Sequence, residues 1–196
     1  MTKRAVFLDR DGTINIDVGY PRSYDQIEIY PYSYEAVGKI QAAGFLAVIT
    51  TNQSGIGRGL LTEDELREIH RKMAAAFASR GIRLDGIYYC PHYDRSDIPA
   101  FRQNCACRKP GTGMALRAAE DLGIDLSRSY VIGDKVEDVL FGLNIGAKSV
   151  LVRTGFGRAA EQSLREKGIR PAAVAENLLE AVNWILQRAP AEHDPV

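Results

Sequence analysis

The sequence predicts an α/β fold, a doubly wound parallel sheet with helices on both faces. Two observations carry the prediction. Short runs rich in Val, Ile and Leu alternate with segments of helical periodicity, the pattern of successive strand–crossover–strand units. Several of these runs also end abruptly in Asp, Thr or Gly, as strands do when they deliver polar groups to the carboxyl edge of a parallel sheet.

The elements follow in order. Residues 5–8 (Ala-Val-Phe-Leu) form the first strand and run into Asp9-Arg-Asp-Gly-Thr13. A helix over 33–43 closes at Gly44, a residue suited to a left-handed cap. The second strand spans 46–50. Thr62-Glu-Asp-Glu65 reads as a capping box opening a helix with Leu66, Ile69, Met73 and Phe77 on one face. Residues 86–90 are the third strand, 130–133 the fourth, 149–152 the fifth and 172–175 a weaker sixth. Helices over 114–122 and 136–145 end at Gly123 and Gly146, and a helix over 178–186 closes the fold. Right-handed crossovers are expected throughout. Residues 1–188 are expected to make one domain and 189–196 a flexible tail. No insertion is long enough for a separate cap domain, which leaves a site covered only by the loops 17–25 and 93–104.

Bulk properties narrow the function. The 196 residues carry a formal net charge of zero, 45% hydrophobic and 26% charged residues. Without a basic run, nucleic acid is disfavoured as a partner. No segment reaches membrane-spanning length and the N-terminus has no secretory apolar region, so the expectation is no membrane partner and a cytoplasmic location. No feature demands an obligate dimer, and a monomer is expected.

The first strand's end is the most telling segment. Adjacent strand residues face opposite sides, so Asp9 and Asp11 are expected to share a face from which Arg10 is excluded. Two neighbouring carboxylates repel unless a cation lies between them, and hard oxygen ligands suit Mg²⁺. An Asp-Gly turn without chemistry is the plain alternative.

Four further segments sit at strand ends. Thr50-Thr-Asn-Gln-Ser-Gly55 offers hydroxyls and a glycine loop for a phosphoryl group, or is simply a glycine-rich turn. Arg108-Lys-Pro110 places a lysine where it can neutralise a nucleophile and a phosphoryl charge. Ile132-Gly-Asp134 adds a third carboxylate, and Lys135-Val-Glu-Asp138 begins the following helix. Asp138 either orients Lys135 or a metal-bound water, or simply favours the helix N-terminus.

Together these motifs resemble the haloacid dehalogenase superfamily, in its phosphatase branch, with a Rossmann-like sheet. The resemblance covers about residues 5–155 and preserves the family's motif order. It implies that Asp9 is a nucleophile that becomes phosphorylated and that Asp11 is the general acid and base. It implies that Thr51, rather than Thr50, holds the phosphoryl group and that Lys109 neutralises charge. Asp9, the backbone carbonyl of Asp11 and Asp134 would ligate Mg²⁺.

The cysteines narrow the resemblance. Cys90-Pro-His92 and Cys105-Ala-Cys107 supply three thiolates and one imidazole, a closed tetrahedral donor set suited to structural Zn²⁺. All three cysteines of the chain are spent there, which favours a metal over free thiols. The zinc would fold the loop that carries Arg108 and Lys109. This insert resembles two related groups, the heptose-1,7-bisphosphate 7-phosphatases of nucleotide-activated heptose biosynthesis (a lipopolysaccharide precursor route) and the histidinol-phosphate phosphatases. The motif wording lies closer to the heptose group. By that resemblance Asp17, Val18, Gly19, Tyr20, Thr51, Asn52, Gln53, Ser54, Arg108, Lys109 and Lys135 line the site of a phosphorylated sugar. A non-catalytic zinc-stapled binding module is the further rival. Gly111-Thr-Gly113 departs from the family pattern and predicts a looser loop after Pro110. His70 reads as a surface or core-edge residue, and His193 falls in the tail.

Overall fold

A computed structural model describes residues 2–189. Six strands form one sheet: β1 (Ala5–Leu8), β2 (Leu46–Asn52), β3 (Gly86–Cys90), β4 (Tyr130–Gly133), β5 (Lys148–Val152) and β6 (Ala173–Ala175). Seven α-helices accompany them: α1 (Pro31–Ala42), α2 (Ser54–Gly57), α3 (Glu63–Ala78), α4 (Gly113–Leu122), α5 (Val136–Asn144), α6 (Gly157–Glu166) and α7 (Leu178–Leu186). The spatial order is β3-β2-β1-β4-β5-β6, with every neighbouring pair parallel. The predicted doubly wound sheet without a separate cap domain is therefore correct. The expected tail lies outside the described residues from 190 onward, and His193 with it.

Both sheet faces are covered, which explains why β1 is apolar at every position. Val6 and Leu8 of β1 pack with α1, α3 and α7 through Val37, Met73, Phe77 and Val182. Ala5 and Phe7 point the other way and meet Ala115 and Ala118 of α4 and Phe141 of α5. Phe7 and Phe141 meet edge to face, with centroids 6.3 Å apart.

The helix signals behave as their chemistry requires. Thr62 Oγ1 accepts from the Glu65 N–H at 3.1 Å, and Glu65 Oε2 accepts from the Thr62 N–H at 2.7 Å, completing the capping box. α1 begins two residues earlier than expected because Pro31 occupies its first turn, where a missing N–H costs nothing. α6 was not anticipated. Only Gly157, Ala160 and Leu164 of its ten residues are buried, too narrow a stripe to register as helical periodicity.

Strand order decides where chemistry can happen. β1 and β4 are neighbours in space, and the chain winds away from them in opposite directions. The crevice beyond their carboxyl ends is the topological switch point, where such sheets bind ligands.

Candidate active site

Asp9 leaves β1 with its N–H donating to Ile132 of β4 at 2.9 Å, so it stays tied to the switch point. Asp134 leaves β4 beside it, fully buried. Asp138, on the first turn of α5, accepts the Lys135 N–H at 2.9 Å and so caps its own helix. Carboxylate oxygens of Asp9, Asp134 and Asp138 lie within 4.8 Å of one another.

Lys109 enters this cluster from the other side. Its Nζ donates to Asp9 Oδ1 at 2.7 Å, to Asp138 Oδ1 at 2.5 Å and to the Thr50 carbonyl at 2.8 Å, so all three protons are used. Burial works against its charge, but Asp138 and Asp9 outweigh it and the ammonium pKa rises. Asp138 therefore caps α5, as one of the readings offered from sequence has it, and it also anchors Lys109, which neither reading included.

Three buried carboxylates against one buried ammonium leave an anionic excess. Asp134 bears it. Its Oδ2 accepts the Phe156 N–H at 2.8 Å, whereas its buried Oδ1 has no hydrogen-bond partner. Burial, with the Asp9 charge beside it, pushes the Asp134 carboxyl up to about 8. A divalent cation shared with Asp9 would satisfy that oxygen, so the donor set fits Mg²⁺. Gly12 is required at this spot: its φ is +87°, and a Cβ there would overlap the Asp134 carboxylate.

Asp11 reaches the same cavity as Asp9, which Arg10 does not line, but it does so from a turn and not from the strand itself. β1 stops at Leu8, and the chain turns through Asp11, which bridges to Asn15. The turn brings Arg10 round onto Asp11 rather than away from it. Arg10 Nε donates to Asp11 Oδ1 at 3.0 Å and Nη2 to Oδ2 at 2.7 Å. Asn15 Nδ2 adds a bond to Oδ1 at 3.0 Å and Gln53 Nε2 one to Oδ2 at 2.9 Å. Burial alone would raise the Asp11 pKa, but Arg10, with Asn15 and Gln53, outweighs it and holds the carboxyl below its ordinary range.

The Thr50–Gly55 segment ends β2 and forms α2. Thr51 is buried, and its Oγ1 accepts from Gln53 Nε2 at 2.9 Å. The Asn52 amide faces the backbone of Lys109 and bonds it twice.

Cys90, His92, Cys105 and Cys107 converge as their spacing implied, with Sγ and Nδ1 donor atoms within 4.8 Å of one another. Cys107 Sγ lies 2.8 Å from Cys90 Sγ and 3.3 Å from His92 Nδ1. Sharing protons with Cys90 first, and with Cys105 and His92, lowers the Cys107 thiol to about 5, whereas Cys90 is pushed up. A cluster that already favours a thiolate suits Zn²⁺, whose four-ligand structural sites have no open position.

The predicted looseness after Pro110 does not hold. A Cβ on Gly111 would collide with the carbonyls of Ala106 and Arg108, and one on Gly113 with that of Ala106. Both glycines let the cysteine loop pack directly on the backbone that follows Lys109, and Gly113 N–H donates to Ala106 at 2.8 Å. His70 is the other correction. It is 94% buried on the apolar face of α3, where its Nε2 meets Arg10 Nη1 at 3.0 Å.

A cavity of about 760 Å³ opens over the cluster. Asp9, Asp11, Asp17, Gly19, Tyr20, Thr51, Asn52, Gln53, Ser54, Arg108, Lys109 and Lys135 all line it. Val18 does not; it is 47% exposed. Asn104, Glu137 and Phe156 line it without having been anticipated. Lys135 Nζ pairs with Asp17 Oδ2 at 3.3 Å and sits 5.2 Å from the Phe156 ring centroid. Arg108 Nη1 donates to the His92 carbonyl at 3.4 Å, so the guanidinium is tied to the cysteine loop.

Known proteins share this sequence and fold. The HAD-hydrolase-like family matches residues 106–181. A relative from Pasteurella multocida (strain Pm70), named D-glycero-beta-D-manno-heptose-1,7-bisphosphate 7-phosphatase, is 48% identical over 154 residues, which is 78% of this chain and 83% of its own. This chain belongs to the heptose-bisphosphate phosphatase family of the haloacid dehalogenase superfamily. Another family member with the same name, from Escherichia coli (strain K12), is 44% identical over 93% of this chain and 87% of its own. The crystal structure of a D,D-heptose 1,7-bisphosphate phosphatase from B. bronchiseptica, complexed with magnesium and phosphate, superposes with a TM-score of 0.82. It is 34% identical and covers 95% of this chain and 99% of its own. A heptose-bisphosphate phosphatase family member is a phosphoric monoester hydrolase, and the cavity's buried lysine and carboxylates suit that chemistry. Among the described residues, no helix is long and apolar enough to cross a membrane.

Proposed function

We propose that this chain removes the 7-phosphate of D-glycero-D-manno-heptose 1,7-bisphosphate through an aspartyl-phosphate intermediate on Asp9, with Mg²⁺ as cofactor. The observation that carries the reading is the Asp9–Lys109 pair beside the unpartnered Asp134 oxygen: a buried nucleophile, a buried cation and a vacancy in hydrogen bonding on one carboxylate cluster. Its relatives' names supply the substrate.

Asp9 attacks the phosphorus in line with the sugar oxygen. Lys109 and the Thr51 hydroxyl hold the charge on the phosphoryl oxygens. Asp11, whose carboxyl lies below its ordinary range before substrate binds, first takes up a proton as the anionic substrate enters, gives it to the departing oxygen and then, as a carboxylate again, takes a proton from the water that hydrolyses the aspartyl-phosphate. Asp9, Asp134 and the backbone carbonyl of Asp11 would hold Mg²⁺, which when bound supplies positive charge to the transferring group. Arg108 and Lys135, which both line the cavity, give the second phosphate cationic partners, and the Arg108 guanidinium can bind it bidentately. Asp17, Gly19, Tyr20, Asn52, Gln53 and Ser54 surround the sugar. Zn²⁺ on Cys90, His92, Cys105 and Cys107 stays structural. We take the protein to act as a cytoplasmic monomer.

Phosphate release with Mg²⁺ tests the reading, comparing heptose 1,7-bisphosphate with histidinol phosphate at matched concentrations. A large preference for the bisphosphate is expected. A preference for histidinol phosphate would overturn the substrate assignment while leaving the chemistry of Asp9 in place.

A further inference from the structure

Arg10 and His70 have no part in the chemistry so far, yet they form a buried polar pair directly beneath it. Arg10 is wholly buried and His70 nearly so. A guanidinium has only donors, so the 3.0 Å contact between Arg10 Nη1 and His70 Nε2 makes Nε2 the acceptor and places the ring proton on Nδ1. The Tyr89 ring packs tilted against the imidazole, with centroids 5.8 Å apart. With Nη1 anchored, the Nε and Nη2 edge of the same planar group faces Asp11 and grips both of its oxygens. Asp11 still lines the cavity.

We propose that His70 is a positioning residue for the second half of the reaction, acting through Arg10 to fix the orientation of the Asp11 carboxylate toward water. The inference rests on the two-step reading above. In the step concerned, the bond between Asp9 Oδ and phosphorus breaks as a bond from water oxygen to phosphorus forms, and the water proton passes to Asp11. Four N–H donors from Arg10, Asn15 and Gln53 set the plane of Asp11, and only the Arg10 pair contacts both oxygens. Holding an acceptor in one orientation before the proton moves is what such partners contribute to proton transfer. α3 supplies His70, so a helix that contributes no group to the cavity lining still reaches the catalytic base.

Rapid-quench kinetics on the full chain separates the two halves. With an aryl phosphate, whose leaving group needs no proton from Asp11, release of the aryl alcohol reports the first step and release of inorganic phosphate the second. His70→Leu leaves Arg10 Nη1 without an acceptor. The expected result is an unchanged first turnover of aryl alcohol followed by phosphate release slowed about tenfold, so that kcat and KM fall together. His70→Gln, whose amide oxygen can accept the Arg10 N–H, is expected to keep phosphate release within about twofold of wild type. Arg10→Lys keeps the charge without the fork; it should match His70→Leu and carries the test should that variant not fold. Equal slowing of both steps in these variants, or no difference between Gln and Leu, would overturn the proposal, because loss of folded molecules alone scales both steps alike. Should wild type hydrolyse the aryl phosphate but leave heptose 1,7-bisphosphate untouched, the substrate reading fails separately while the two-step test of His70 stands.

Discussion

Asn52 and Lys109 are clamped to each other through both ends of one side-chain amide. The Lys109 N–H donates to Asn52 Oδ1 at 2.9 Å, and Asn52 Nδ2 donates to the Lys109 carbonyl at 3.2 Å. The end of β2 thereby fixes the backbone of a residue that arrives on a long loop from β3. A lysine whose three protons are all committed cannot shift without breaking the pairing with Asp9.

Asn52→Ala is expected to lower kcat/KM about 10- to 100-fold, because small displacements of a charge-stabilising group are costly. The melting temperature should fall by about 3–10 °C, since one clamp of two bonds contributes about 1–3 kcal/mol. Steady-state kinetics beside a thermal melt checks it. An unchanged kcat/KM would show that Lys109 needs no such support.

The cysteine cluster predicts a structural effect. Cys107→Ser is expected to abolish tightly bound zinc, measured by elemental analysis of purified protein, and to cost about 3 kcal/mol, a fall of about 10 °C in melting temperature. Cys107 is two residues before Lys109, so remaining activity should decline through Lys109 placement as well. Loss of zinc with neither stability nor activity affected would remove the staple from the account.

His70 predicts a pH dependence. Burial first, then the Arg10 charge, depresses its pKa from the ordinary 6.5 to about 3. The unfolded chain therefore takes up the proton first. The stabilisation is complete above pH 6.5 and is lost as pH falls from there toward 3. Between pH 7 and pH 5 this amounts to about 2 kcal/mol, which His70→Gln should lack. Denaturant unfolding of both proteins across that range checks it, and parallel stability curves would contradict it.

Much of this arrangement was legible in the sequence because each motif is contiguous and sits at a strand end. Asp9, Thr51, Lys109 and Asp134 each follow an apolar run or a short spacing from a metal ligand, so local reading placed them correctly at one edge of the sheet. Partnerships across the chain were not legible. Arg10 and His70 are far apart in sequence, and strand alternation gives no sign that Arg10 pairs with its neighbour Asp11, because β1 stops before Asp9. A signal for His70 did exist: it lies four residues after Leu66 and three before Met73, on the buried face of α3. Phe156 was missed because the helix it precedes, α6, carries too few apolar residues to be recognised. Gly111 and Gly113 were misread because a sequence shows a glycine's freedom but not the carbonyl that leaves room for nothing larger.

The account turns on Asp9 carrying the phosphoryl group, and trapping it is the most direct measurement. Asp11→Asn, given an aryl phosphate whose leaving group needs no proton, should complete the first step and stall at the second. Quenching that reaction with borohydride reduces an aspartyl-phosphate to homoserine. Peptide mass spectrometry is expected to find homoserine at position 9 and at no other aspartate. Release of the aryl alcohol with an unmodified Asp9 would contradict the covalent mechanism and leave these carboxylates as ligands only.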